Sequence, residues 1–194
     1  ASGNTGSCTI NILVVDNTAP TITCPANTTE AADATCTVSL PNYAGSATVS
    51  DNCDISPSVI QSPAPSSTIV GAGTVQTITL TVQDASSNSA QCTFDITVTS
   101  TAPAQPGTIS GLNPVCPNSS QTYSVSAVPG ASSYTWTLPS GWIGSSTTNS
   151  ITVTTTNSGG TISVAAVNGC AQTGTVRNLA VSIISVDDGI PCTV

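Results

Sequence analysis

The chain has 194 residues and a mass of 19.1 kDa, enough for one large or two ordinary domains. Charged residues are only 5% of it, with nine Asp or Glu, one Arg (Arg177), no Lys and no His, for a formal charge of −8. The missing side chains exclude His-dependent nucleophile activation, imidazole-bound zinc or haem, lysine Schiff bases and Walker-type phosphate loops, and a single cation cannot support nucleic-acid binding by counterion release.

Strand signals dominate from the first residues. Ser7–Val15 alternates, with Ile10, Ile12 and Val14 on one face, and Thr18-Ala19-Pro20 breaks it. Glu30–Ala34 is the one stretch that suggests a helical turn. Turn clusters follow at Pro63-Ala64-Pro65 and Gly71-Ala72-Gly73. Thr77–Val82 then alternates, placing Ile78, Leu80 and Val82 on one face and threonines on the other. Ala85-Ser86-Ser87-Asn88 through Cys92-Thr93-Phe94-Asp95-Ile96 repeats Ala1-Ser2-Gly3-Asn4 through Cys8-Thr9-Ile10-Asn11-Ile12 at an offset of 84, and Thr101-Ala102-Pro103 repeats Thr18-Ala19-Pro20. Further on, Tyr134 and Trp136 share a strand face, and Trp142 follows a Pro-Ser-Gly turn. Ile151–Thr154 and Thr161–Val164 alternate on either side of Asn157-Ser158-Gly159-Gly160. Short β-branched strands at this spacing predict an all-β chain of tandem immunoglobulin-like β-sandwiches, arranged as beads on a string.

The eight cysteines stand at positions 8, 24, 36, 53, 92, 116, 170 and 192, with no CxxC pair among them. Dispersed, even in number and without His, they predict an oxidised, extracellular disulfide framework. No run of about 20 apolar residues and no charged leader is present, so neither a membrane span nor a signal peptide is read here, and export is expected to be directed from outside this chain.

Residues 16–98 resemble a hyalin repeat (HYR) domain. The matching features are Asp16 with Ala19-Pro20, Ile22-Thr23-Cys24-Pro25, Cys36, Asp51-Asn52-Cys53, Gly73 before the Thr74–Val82 strand, Asp84-Ala85-Ser86-Ser87-Asn88 and Cys92-Thr93-Phe94. One departure is Ser87, where the family usually has Gly. Residues 104–184 resemble PKD-like, immunoglobulin-like modules of secreted bacterial proteins, through Pro114-Val115-Cys116, Tyr123, Gly130 to Trp136, Pro139, Gly141 and Asn168-Gly169-Cys170. The expected organisation is residues 1–15 as the last strand of a preceding HYR module, 16–100 as an HYR sandwich, 101–186 as a PKD-like sandwich, and 187–194 as a linker or the start of a further module.

An immunoglobulin-like sandwich brings the start of its first strand, its B–C loop and its F–G loop to one end. That gathers Asp16, Asp51 or Asp54, and Asp84, whose hard oxygens suit calcium; the same aspartates also suit turn capping. Thr99-Ser100 replaces Val15-Asp16 at the next junction, which is expected to be calcium-free. Asp51 and Asp54 flank Cys53 without a partner base, so no catalytic residue is assigned. Asn27-Thr28-Thr29 and Asn118-Ser119-Ser120 fit the glycosylation acceptor pattern and read as surface loops. An exposed Trp or Tyr would stack on a surface glycan, but with two Trp and three Tyr in the chain core packing is the expectation.

Strand placement predicts disulfides Cys24–Cys36, bracketing the A–B turn, and Cys53–Cys92 at the other end of the sandwich. Recurrence of the two cysteines in PKD-like modules implies Cys116–Cys170, while simple topology leaves Cys116–Cys192 open. Cys8 is expected to bond an Asp-Asn-Cys-type cysteine outside this chain, and Cys192 is likewise assigned between segments.

The resemblance implies a non-catalytic segment of a long, secreted, multi-module surface protein, similar to the giant adhesins and filaments of gliding bacteria. The expected role is a shaft or spacer in a protein that serves adhesion; the alternative is an accessory module of a secreted polysaccharide-degrading enzyme. Its expected partners are neighbouring modules or subunits, end to end, and surface glycans. Ser7–Val15 is expected to complete a neighbouring sandwich, either within one continuous polypeptide or by strand donation between subunits. The continuous route is favoured because Asp187-Asp188-Gly189 and Cys192 look like the opening of another module.

Overall fold

In a computed structural model of the protein, residues 2, 3 and 5–184 are described. They form thirteen strands: β1 (Thr21–Thr23), β2 (Thr28–Ala31), β3 (Thr37–Ser39), β4 (Thr48–Ser50), β5 (Ser58–Ser62), β6 (Thr68–Val70), β7 (Val75–Gln83), β8 (Ser89–Thr99), β9 (Ser120–Ser124), β10 (Ser133–Thr137), β11 (Ser150–Thr154), β12 (Gly160–Val167) and β13 (Arg177–Val181). A single 3₁₀ turn, Ala44–Ser46, is the only helical element among the described residues. The expected turn at Glu30–Ala34 is replaced by β2, which runs through Ala31 before the chain turns at Ala34 and Thr35.

Residues are divided by their contacts into two compact units. The first takes in the chain through Asn27, Leu40–Ser67 and Thr77–Ile96; the second takes in Thr28–Ser39, Thr68–Gln76 and the chain from Thr97 onward. In the first, β1 pairs antiparallel with β4 and β5 pairs antiparallel with β7. The complete sheet of β7 has the order β2-β8-β7-β5. Alternation sets its inner face: Ile78, Leu80, Val82 and Ile96 are fully buried, and the Phe94 ring packs edge-on against Tyr43 at 5.1 Å. Gln61 is also buried, and its amide is satisfied on both sides. Its Oε1 accepts from the Tyr43 amide at 2.7 Å and its Nε2 donates to the carbonyls of Pro41 and Pro63, each at 3.1 Å.

In the second unit, β9–β11 and β10-β12-β13 are two antiparallel sheets. Side chains from both meet in one core, where Tyr123, Ile151, Val153, Ile162 and Val164 are each at most 2% exposed. Trp142 closes this core 6.4 Å from the Tyr123 ring and donates its indole N–H to the Ser158 carbonyl at 2.9 Å. Tyr134 is buried in the same core, whereas Trp136 is half-buried against it and donates to the Thr148 carbonyl at 2.9 Å. The folds are immunoglobulin-like β-sandwiches.

Residues 5–20 form no strand. Ile10, Ile12, Leu13 and Val14 are each at least 80% exposed.

The disulfides differ from all three expected pairings. Cys24 is bonded to Cys92, not to Cys36. Cys24 sits beside the early half of β8, where the Asp95 amide donates to the Asn27 side chain, and this brings Cys92 within the roughly 7 Å that a disulfide needs. With Cys92 taken, Cys53 is a free, exposed thiol, which removes the Cys53–Cys92 pairing. Cys170 is bonded to Cys36, so Cys116–Cys170 is overturned as well. Cys116 lies beside the Val115–Ile183 bridge that follows β13, while Cys170 lies at the opposite end of β12, where Val167 bridges Thr173. Cys116 is itself disulfide-bonded. Cys192 and Asp187 to Gly189 lie outside the described residues.

Candidate functional site

Two features stand out for their chemistry: an acidic cluster in the first unit and a covalent joint in the second. In the cluster, carboxylate oxygens of Asp16, Asp51 and Asp84 lie within 4.8 Å of one another. Each aspartate is held by a local turn. The Thr18 amide donates to Asp16 Oδ1 at 3.0 Å, the amides of Cys53 and Asp54 donate to Asp51 Oδ2 at 2.8 and 2.7 Å, and the Asn88 amide and side chain donate to Asp84 at 2.8 Å. Asn88 also ties the cluster to the backbone through the Asp16 carbonyl at 3.2 Å. Asp54 stands apart from the trio; its carboxylate accepts from the amides of Ser56 and Ala85.

Turn capping accounts for only part of this arrangement. Asp84 is 6% exposed, and Asp51 Oδ1 is buried with no hydrogen-bond partner. The amides of Asp54 and Cys53 hold the Asp51 carboxyl below the usual range, so it carries its charge at neutral pH. Three close carboxylates repel one another, and the chain's one basic side chain, Arg177, is engaged with the Pro106 carbonyl. A hard divalent cation with oxygen ligands fits this donor set.

Beside the cluster, Asp16, Cys53, Asp54, Ala85 and Ser86 line a shallow pocket. Partial desolvation first, and then the charges of Asp16, Asp51 and Asp84, push the pKa of the exposed Cys53 thiol up. Cys53 was assigned to a structural bond, and the pocket was not legible from the sequence.

In the second unit, Cys36 and Cys170 are joined with Cα atoms 4.8 Å apart across 134 residues of sequence. Asn168 organises the surrounding loop: its Oδ1 accepts from the amides of Cys170 and Gln172, and its Nδ2 donates to Ser100 Oγ at 3.0 Å and the Thr101 carbonyl at 2.9 Å. Asp33 braces the other side by accepting from both the amides and the hydroxyls of Thr35 and Thr37.

Residues 15–98 match the family model of the HYR domain, and residues 102–181 match that of the PKD-like domain. The chain contains an HYR domain at residues 15–98 followed by a PKD-like domain at residues 102–181. A search of curated protein sequences found no match. Among solved structures, the chain is similar to fibronectin(III)-like modules of CbhA from Clostridium thermocellum, at 14% identity and a TM-score of 0.40, covering 84% of this chain and 93% of that one. It is also similar to the D00-D0 domain of intimin, at 15% identity and a TM-score of 0.29, covering 86% and 100%. A third is a Bacteroides ovatus mixed-linkage glucan utilization locus protein, SGBP-B, in complex with a mixed-linkage heptasaccharide, at 12% identity and a TM-score of 0.28, covering 88% and 48%.

The Cys36–Cys170 bond therefore connects a cysteine of the HYR domain to one of the PKD-like domain. HYR and PKD-like domains are typically non-catalytic and extracellular in character, and two described disulfides agree with that setting. No helix among the described residues is long and apolar enough to cross a membrane. The aromatic side chains serve the cores: Tyr43, Phe94, Tyr123, Tyr134 and Trp142 are buried.

Proposed function

We propose that this chain is a load-bearing, non-catalytic segment of an extracellular surface filament or adhesin. The observation that carries this reading is the Cys36–Cys170 bond. A chain pulled from its ends extends along its shortest covalent path, and this path jumps from residue 36 to residue 170. The 134-residue separation stays out of the extensible length, so tension cannot unravel it while the bond is intact. A shaft or spacer gains from that property.

Pulling the chain from its two ends in a single-molecule force experiment tests the reading. Fully extended chain spans about 3.4 Å per residue, so reducing the disulfides is expected to lengthen the stretched molecule by roughly 450 Å. Equal extension before and after reduction would remove the basis for a load-bearing role.

The acidic cluster supports a second element of the same reading: Asp16, Asp51 and Asp84 hold a calcium ion that stiffens the leading end of the HYR domain. Its support is twofold: Asp51 Oδ1 is buried without a hydrogen-bond partner, and the Asp51 carboxylate lies within 4.8 Å of those of Asp16 and Asp84. Asp54 would orient the loop from outside the trio.

A further inference from the structure

The repeat places one strand sequence twice in the chain, in two different states. In β8, Phe94, Ile96 and Val98 are at most 4% exposed and Cys92 is bonded to Cys24. At the 84-residue offset their counterparts Ile10, Ile12 and Val14 are at least 80% exposed, and Cys8 is a free, exposed thiol. The slot such a strand fills lies between β2 and β7, and in this HYR domain β8 occupies it. Residues 7–15 therefore fit a second HYR-type sandwich, outside residues 16–184.

The Cys36–Cys170 joint shows what chemistry follows such a strand. Where β8 ends, the Ala32 amide meets the Thr99 carbonyl, and Cys36 close by bonds the cysteine of the next domain's Asn168-Gly169-Cys170 loop. The same offset matches Val15 to Thr99, so the Cys36 counterpart of the outside sandwich would stand next to Asp16. Asp16 shares its pocket with Cys53. Moreover, Cys53 and Cys170 are presented by the same turn. The Cys53 amide donates to the Asp51 carboxylate two residues back at 2.8 Å, as the Cys170 amide donates to the Asn168 side chain two residues back at 3.0 Å.

We propose that Cys53 is half of a second inter-domain disulfide, bonded to the Cys36-type cysteine of an HYR-type sandwich that residues 7–15 complete as its last strand, and that Cys8 bonds that sandwich's Cys24-type cysteine. This changes the partner of Cys8 from an Asp-Asn-Cys-type cysteine to the first cysteine of the module, as the Cys24–Cys92 bond dictates. Each bond forms when two thiols lose two protons and pass two electrons, by thiol–disulfide exchange, to a disulfide-bearing oxidant of the class that makes the other bonds.

The test is alkylation of the native surface protein with iodoacetamide without reduction, peptic digestion, and mass mapping of linked peptides, with the isolated 194-residue chain treated in parallel. In the isolated chain both Cys8 and Cys53 are expected to be fully alkylated. In the native protein alkylation of both is expected to be lost, with each found linked to a different cysteine of one HYR-type segment. An alkylated Cys8 or Cys53 in the native protein overturns the proposal, and so does a Cys8–Cys53 link. Neither outcome alters the contour length gained on reducing Cys36–Cys170, so the load-bearing reading stands or falls separately.

Discussion

The amide of Gly169 donates to the carbonyl of Ala34 at 3.1 Å, and a Cβ built on Gly169 would stand 2.3 Å from that oxygen. Only a residue without a side chain allows the backbone on either side of the Cys36–Cys170 bond to come this close. Gly169→Ala is therefore expected to push the two backbones apart and lower stability by about 1–3 kcal/mol. Thermal denaturation of the variant checks this, and an unchanged melting temperature would contradict the close approach.

Ser87 adopts φ +73° in the turn between β7 and β8, and its side chain is exposed. A left-handed conformation costs an L-residue roughly 1–2 kcal/mol, while glycine adopts it freely but loses more entropy on folding. Ser87→Gly is expected to stabilise the HYR domain by about 0.5–1 kcal/mol net, read as a higher denaturant midpoint. A midpoint shift downward would show that the serine is preferred for another reason.

Asp33 has its carboxyl lowered from 3.8 to about 2, first by the Thr37 amide and then by the hydroxyls of Thr35 and Thr37. A depressed folded pKa contributes stability above the unfolded value, and that contribution fades as pH falls through the folded one. The melting temperature is expected to fall between about pH 4 and pH 2, with Asp33→Asn lower at neutral pH and flatter across that window. Parallel pH profiles for the two proteins would sink this assignment.

Calcium is expected to raise the melting temperature through Asp16, Asp51 and Asp84. At free calcium 100-fold above Kd the gain is about 2.7 kcal/mol for one site. Asp51→Asn gives up the charge that the Cys53 and Asp54 amides stabilise, so it is expected to lower the melting temperature of the calcium-free protein and to cancel the response to calcium. A wild-type melting temperature indifferent to calcium and to a chelator removes the site.

Much of the strand architecture was legible in the residue pattern. Side chains alternate across a strand, so Ile78, Leu80 and Val82 were assigned to one face, as were Ile151 with Val153 and Ile162 with Val164, and all seven are at most 2% exposed. The HYR and PKD-like motifs were legible for a related reason: turns need particular residues at fixed offsets, and Asp51-Asn52-Cys53 and Asn168-Gly169-Cys170 carry them in consecutive positions. The juxtaposition of Asp16, Asp51 and Asp84 followed from the sandwich topology once the strands were assigned.

Disulfide partners were another matter. A disulfide depends on which strand ends meet within about 7 Å, and sequence spacing carries no record of that distance. Cys24 and Cys36, twelve residues apart, are not bonded to each other, while Cys36 and Cys170, separated by 134 residues, are. What the amino-acid sequence determined by itself was local: the period of the strands, the residues of the turns and a cysteine set that forms disulfides. Which cysteines bond, and the pocket shared by Asp16 and Cys53, were decided by the tertiary structure alone, because both arise only when loops far apart in the chain are brought to the same end of a sandwich.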